Sequence, residues 1–254
     1  ARSPSPRPCS RTFAGHEVGA DVRADVCFTL THLAEAGVDT VADEAIDAVL
    51  VRLLGRVDGA ATHTFFSYRI AETLLRHGAF DDDNPLVATL SGPQRDQLVR
   101  AVDSSDWVEL LDAGVLPRNY AGVLSRCALG QVRLGLTDDE STLDRLVGRL
   151  ADLLAENPRG ALDDSNDRIG RYDIYSGDVW LFVAPLAERL GPLWTDGLRH
   201  ALALVRAVGA RDGSAVPWGR SVGDLAAALT VELAAVAVAD GHDPGHEGLW
   251  LRRA

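Results

Sequence analysis

The sequence DESTLDRLVGRLADLLAE, residues 139–156, decides the fold class. Its leucines and its valine recur at i, i+3, i+4 and i+7, a spacing that gathers them on one face of a helix. The charged residues fall on the opposite face, and Asn157 and Pro158 follow and close the segment. This pattern predicts an amphipathic α-helix that packs one face on a core.

Helical periodicity continues through the chain in two alternating forms. Amphipathic helices are predicted to begin near residues 41, 94, 139 and 193, and shorter or more apolar helices near residues 21, 67, 121, 176 and 222. No stretch of β-type alternation competes with them. The amphipathic helices, with one solvent-exposed face, would form an outer layer around the more apolar helices, as in an array of antiparallel hairpins. We therefore expect an all-α protein, either an α/α toroid or an incomplete toroid of about four and a half hairpins.

Glycine, proline and threonine mark the expected helix boundaries. Gly37, Gly59 and Gly135 are expected to end helices, Thr40 to cap the second helix, and Pro185 to kink or restart a late one. We expect a single domain over residues 21–241. Residues 1–20 are expected to be a disordered or foreign tail, and residues 242–254 a C-terminal tail or a point of truncation.

Composition limits the class of protein. The 254 residues are 46% hydrophobic, enough for a large core. A net charge of −12 argues against a general nucleic-acid binder, and no apolar run is long enough for a membrane span. The three cysteines are far apart and show no zinc or disulfide spacing, and no cofactor motif is present. We expect a cytoplasmic protein with no cofactor, metal, nucleic-acid or membrane partner.

Arginines recur at one predicted end of the hairpin array. Loops that lead from an outer helix to the next inner helix should all emerge there, and Arg69, Arg118, Arg171 and Arg220 lie in or beside them about fifty residues apart. Each lies close to a tyrosine or tryptophan, and the positive ends of the inner helices point the same way. Such a mouth suits an anionic ligand with apolar ring faces, such as a uronic-acid sugar. The alternative is that these arginines bridge neighbouring hairpins through carbonyls or carboxylates.

The stretch richest in functional side chains is GALDDSNDRIGRYDIYSGDVWL, residues 160–181. Tyr172 and Tyr175 flank Asp173, and a tyrosine beside an arginine can act as base or acid in an elimination. His63, the only histidine in these loops, is a candidate proton-transfer partner. Each tyrosine can instead serve only packing.

Its acidic residues allow two further interpretations. Asp173, with Asp163, Asp164 or Asp178, could supply the two carboxylates of a glycoside hydrolase. DDSND, residues 163–167, matches the DDxxD pattern of terpene cyclases that bind magnesium diphosphate.

The segment RYDIYSGDVWLF, followed by DGSAVPWGRS at residues 212–221, resembles a bacterial family of (α/α) toroid proteins related to the heparinase and alginate lyase superfamily. The resemblance covers residues 171–235. Asp173 departs from it, because the family often has asparagine there. The resemblance implies the toroid fold first and a polysaccharide lyase-like β-elimination on an acidic saccharide second.

The resemblance also implies roles for individual residues. Tyr175 or Tyr172, with His63, would transfer protons. Asn119, Arg171 and Arg220 would neutralise the substrate carboxylate, with Arg118, Tyr120 and Trp218 beside them as substrate-binding residues. The alternatives are a glycoside hydrolase on the same scaffold, a non-catalytic helical-repeat binding module, and a terpene-cyclase-like enzyme. The small number of hairpins suggests a homo-oligomer or a missing chain segment.

Overall fold

A computed structural model describes residues 11–12, 16–17, 20–57, 64–156, 162–163, 174–208 and 223–242. Nearly all regular structure in these residues is helical, which confirms the all-α prediction. The helices are α1 (Ala20–Glu35), α2 (Ile46–Leu54), α3 (Thr64–Leu75), α4 (Pro85–Ala88), α5 (Gly92–Val102), α6 (Ser105–Asp112), α7 (Tyr120–Arg133), α8 (Ser141–Ala155), α9 (Tyr175–Val183), α10 (Ala187–Leu190), α11 (Pro192–Val208) and α12 (Asp224–Ala239). A 3₁₀ turn, Ala184–Leu186, separates α9 from α10 at the predicted break near Pro185.

Two short antiparallel hairpins accompany the helices. They pair β1 (Arg11–Thr12) with β2 (His16–Glu17) and β3 (Thr40–Val41) with β4 (Glu44–Ala45). Ala42 and Asp43 form the second turn with φ of 49° and 64°, the left-handed conformation that a two-residue hairpin needs. Thr40 therefore lies in a strand, and the prediction that it caps α2 is wrong. The helix ends at Leu54, before Gly59, which lies outside the described residues.

One glycine motif ends several helices. At the end of α1, the Gly37 N–H donates to the Ala34 carbonyl and the Val38 N–H to the Leu33 carbonyl, both at 3.0 Å. This is the Schellman arrangement, with Gly37 at a φ of 84°. The same pattern closes α6, α7 and α12 at Gly114, Gly135 and Gly241. The predicted helix ends at Gly37 and Gly135 are confirmed.

The contacts divide the chain into two compact units. Unit 1 comprises Ala1–Trp107 with Cys127–Glu140, and unit 2 comprises Val108–Arg126 with Ser141–Ala254. Helix α7 thus gives its first half to unit 2 and its second half to unit 1. A single domain over residues 21–241 stays a prediction, as do the two tails.

In unit 1, α1 and α3 run in the same direction. Asp25 near the start of α1 pairs with Arg69 at 2.6 Å, and Glu35 at its end pairs with Arg76, just after α3. The apolar faces of the two helices pack on a core that α2 and α5 complete. Cys27 lies in this core, where burial raises the pKa of its thiol to about 12. The arrangement of inner and outer helices in a toroid stays a prediction.

A buried asparagine joins two elements of unit 1. Asn84 is fully buried, and its Nδ2 donates to the carbonyls of Leu74, Gly78 and Ala79 at 3.0–3.3 Å. Its Oδ1 accepts from the N–H groups at the start of α4, at 3.1 and 3.4 Å. One amide therefore closes the end of α3 and caps α4.

In unit 2, α9 packs antiparallel to α11. Gly177 near the start of α9 faces Val205, whereas Trp180 in its middle packs against Gly197 and Trp194 near the start of α11. The indole of Trp180 is fully buried and lies directly over Gly197. The absence of a side chain at Gly197 lets the two helices approach closely. Helix α12 covers this pair, and its following residue Asp240 accepts a hydrogen bond from the Trp194 Nε1 at 2.9 Å.

Candidate functional site

Two helices of unit 2 begin at the same end. A Cβ on Gly122 of α7 would lie 2.6 Å from Val179 of α9. One turn further along α7, the Arg126 Nη1 donates to the carbonyls of Leu181 and Phe182 at 3.3 Å. Both contacts advance in the same sense along the two helices, so α7 and α9 run parallel. Their N-termini, with the positive end of each helix dipole, therefore share one end of the unit.

The predicted substrate-binding residues Arg118, Asn119 and Tyr120 lead into α7. The carbonyls of Pro117, Arg118 and Asn119 accept successive backbone bonds at 3.0–3.2 Å, which fixes this segment as the first turn of the helix. Asn119 is buried, at 3% exposure, while Arg118 and Tyr120 are partly exposed. Arg118 and Tyr120 are therefore the more accessible members of the set.

Tyr175, a predicted catalytic residue, is the first residue of α9 and is partly exposed. Asp178 follows one turn later and is buried at 3% exposure. A carboxylate in the first turn of a helix is stabilised by the positive end of the helix dipole. The parallel packing of α7 and α9 thus places Tyr175 at the same end of unit 2 as Arg118 and Tyr120.

A groove of about 360 Å³ lies beside the segment that leads into α7. Its lining combines two arginines, two carboxylates and two leucines with one glycine. The lining residues are Gly114, Leu116, Arg118, Arg149, Asp152, Leu153 and Glu156. All of them belong to unit 2.

Both arginines of the groove are held by acceptor groups. The Arg118 Nη1 donates to the Glu156 Oε2 at 3.1 Å, and the two side chains are 15% and 41% exposed. Arg149 donates to the Asp112 carboxylate at 3.1 Å and to the Leu111 carbonyl at 3.0 Å. Each arginine is therefore oriented by an acceptor while it lines the groove.

One stripe of α8 and the residue after it form a wall of the groove. Arg149, Asp152, Leu153 and Glu156 are spaced i, i+3, i+4 and i+7, so they share a helix face beside the apolar stripe. The sequence pattern placed Leu153 on the apolar face and the charged residues on the opposite face, and it did not predict that Arg149, Asp152 and Glu156 line a groove. The available signal was the pair of carboxylates in the last turn, where the helix dipole disfavours negative charge.

The recurrent arginines that the structure describes are paired with carboxylates. Arg69 binds Asp25 of α1 at 2.6 Å, and its guanidinium lies 5.3 Å from the Tyr68 ring centre. Arg118 binds Glu156, which follows α8. These contacts agree with the alternative in which the arginines bridge neighbouring helices. Of these two arginines, only Arg118 lines the groove.

Several predicted site residues lie outside the described residues. They are His63, Arg171, Tyr172, Asp173, Trp218 and Arg220. Most of the DDSND segment also lies outside them, with Asp163 as its only described member. The proposed meeting of these side chains with Tyr175 stays a prediction.

Within the described ranges, no three His, Cys, Asp or Glu side chains form a group suited to a metal ion. Across the same ranges, none of the helices combines the length and apolar character needed to cross a bilayer.

The resemblance to the lyase superfamily rests on the motifs of residues 171–235 alone. No protein-family model, curated protein or solved structure matches this chain.

Proposed function

We propose that this chain binds an acidic saccharide, with the groove of unit 2 as the binding site. The observation that carries the proposal is a groove of about 360 Å³ with two oriented arginines in its lining. Small-molecule sites commonly enclose about 300–1,000 Å³, so a group of one or two sugar rings fits this space. The guanidinium groups of Arg118 and Arg149 would bind the uronate carboxylate.

The rest of the lining also suits a sugar. Leu116 and Leu153 offer apolar surface to the ring faces, and Asp152 can accept hydrogen bonds from ring hydroxyls. The carboxylates of Asp152 and Glu156 disfavour a polyphosphate or polysulfate because they repel dense negative charge. A ring with one carboxylate and several hydroxyls matches this balance best.

A polysaccharide lyase-like β-elimination on an α/α toroid is the reaction that the sequence resemblance favours. Neutralisation of the uronate carboxylate acidifies the proton on the adjacent ring carbon. A tyrosine, Tyr175 or Tyr172, would remove that proton, the glycosidic oxygen would leave with a proton from a second donor such as His63, and a carbon–carbon double bond would form. Asn119, Arg171 and Arg220 would hold the carboxylate in this scheme.

The binding step is tested by titrating the full chain with galacturonate oligosaccharides and with neutral galactose oligosaccharides in a calorimeter. Arg118→Gln should weaken galacturonate binding about 10- to 100-fold, since a hydrogen bond to a charged group contributes about 1.5–3 kcal/mol. Arg199→Gln is the matched control, because Arg199 is exposed on α11 and pairs with Asp196 at 2.8 Å, outside the groove lining. Equal binding of the acidic and neutral sugars would refute the proposal.

The reaction is tested separately with a panel of uronate polysaccharides. A lyase releases unsaturated products that absorb in the ultraviolet. A glycoside hydrolase releases reducing ends without that absorbance. Binding without either product would leave a non-catalytic binding module, the second candidate.

A further inference from the structure

The Arg118–Glu156 ion pair has a consequence for ligand binding. The Arg118 side chain is only 15% exposed and lines the groove, so it is a natural partner for a ligand carboxylate. Glu156 presents a carboxylate of the same chemical type to it at 3.1 Å. A uronate that binds Arg118 must compete with this protein carboxylate.

The position of Glu156 allows a ligand to displace its carboxylate from Arg118. It follows the last residue of α8, and its side chain is 41% exposed. A carboxylate at the C-terminal end of a helix faces the negative end of the helix dipole, and the last turn of α8 contains no basic residue. Because the Glu156 side chain already lies partly in solvent, a competing carboxylate can reach Arg118 and take its place on the guanidinium.

Arg149 differs from Arg118 in this respect. It is held by Asp112 and by the Leu111 carbonyl, and the Asp112 carboxylate also binds Arg145. None of these acceptors lines the groove. Arg149 therefore keeps a fixed orientation, and the exchange of partners falls on Arg118.

We propose that Glu156 is an internal competitor that occupies Arg118 in the free groove and is displaced by the carboxylate of a bound acidic sugar. This inference rests on the proposed function and adds a regulatory contact to that site. It predicts that neutralising Glu156 raises the affinity for an acidic sugar, whereas most substitutions in a binding groove lower affinity. An exposed ion pair contributes about 0.2–1 kcal/mol, so the gain should be about 1.4- to fivefold in affinity.

The experiment measures galacturonate and galactose binding by calorimetry for the wild-type chain and for three single variants. Glu156→Gln should bind galacturonate about 1.4- to fivefold more tightly, with galactose binding unchanged. Asp152→Asn removes the same charge from the same groove but leaves the ion pair, so its gain should be smaller. Glu188→Gln removes an exposed charge from α10, outside the groove lining, and should have no effect.

A double variant separates competition from general charge. In an Arg118→Gln background, Glu156→Gln should no longer change galacturonate affinity, because the contested partner is absent. Circular dichroism of each variant checks that it is folded, and Glu156→Ala repeats the test with a different side chain.

Three results would overturn the inference. These are an unchanged or lower affinity of Glu156→Gln, an equal gain from Asp152→Asn, and a gain that persists without Arg118. If the wild-type chain and Glu156→Gln both bind galacturonate and galactose equally, the proposed function and the inference about Glu156 are both refuted. If the wild-type chain prefers galacturonate and Glu156→Gln does not improve on it, only the inference fails.

Discussion

Replacement of Gly197 by alanine should destabilise unit 2, although alanine is the better helix former. A Cβ at this position would lie 1.7 Å from the Trp180 Cη2 and 2.0 Å from its Cζ2. Carbon atoms pack at about 3.5–4.0 Å, so the helices or the indole must separate by about 2 Å. Trp180 is fully buried, which leaves its ring no open space to enter.

The expected magnitude follows from two opposing effects. Alanine in a helix interior gains about 0.5–1 kcal/mol over glycine, whereas overpacking a core costs about 1–3 kcal/mol and occasionally more. The clash at Gly197 is severe, so we expect a net loss of about 2 kcal/mol in the free energy of unfolding. In a chain of this size that lowers Tm by about 4–8 °C.

Gly148→Ala is the matched control for this prediction. Gly148 lies within α8 and is exposed, and a Cβ added there would have no other atom within 4 Å. This variant should be about 0.5–1 kcal/mol more stable than the wild-type chain. Urea unfolding followed by circular dichroism measures both variants, and a shift of the same sign in both would refute the packing argument.

A second substitution tests the cause directly. Trp180→Phe replaces the indole, whose six-membered ring lies over Gly197, with a smaller side chain. Gly197→Ala should therefore lower the free energy of unfolding by less in that background. Contacting residues typically show coupling of about 0.5–3 kcal/mol. Strict additivity of the two changes would show that the loss arises elsewhere.

Two further predictions concern unit 1. Asn84→Ala should lower the free energy of unfolding by about 3 kcal/mol, measured in urea, because it removes a helix cap and leaves buried carbonyls without their donor; a loss below about 1 kcal/mol would contradict this role. Burial lowers the pKa of His32, with Arg76 adding to the effect and Glu72 opposing it. His32 therefore binds a proton more readily in the unfolded chain than in the folded chain. As pH falls through the ordinary histidine pKa of about 6.5, this difference lowers the free energy of unfolding. The stability of the wild-type chain relative to His32→Asn should accordingly decrease from pH 7.5 to pH 5, measured by urea unfolding at each pH, and a constant difference would refute it.

The helices were predictable because each depends on local periodicity. Each apolar stripe follows a spacing that the sequence states directly, as in residues 139–156, and α8 occupies residues 141–155 of that segment. Gly37 and Gly135 ended their helices as expected because a left-handed cap requires a residue without a Cβ. The hairpin before α2 was missed because Ala42 and Asp43 lack the usual Asn-Gly signal for such a turn.

The candidate site was predicted only in part. Arg118 was selected because it stands at a helix start in a loop rich in polar and aromatic residues, and it lines the groove. Tyr120 and Tyr175 were selected on the same ground, and their roles stay predictions. Glu156 was not selected, because its significance depends on a contact with Arg118 across 38 residues. Ion pairs of this kind follow from the way helices pack, which local sequence patterns do not encode.

By itself, the sequence determined the class of fold, the positions of most helices and several of their ends, since these depend on spacing and backbone chemistry within a few residues. The tertiary structure alone decided that α7 and α9 start together, that Gly197 receives the Trp180 ring, and that a carboxylate already occupies Arg118. Each of these depends on atoms brought within a few ångströms by packing between distant segments, and packing is a property of the whole folded chain.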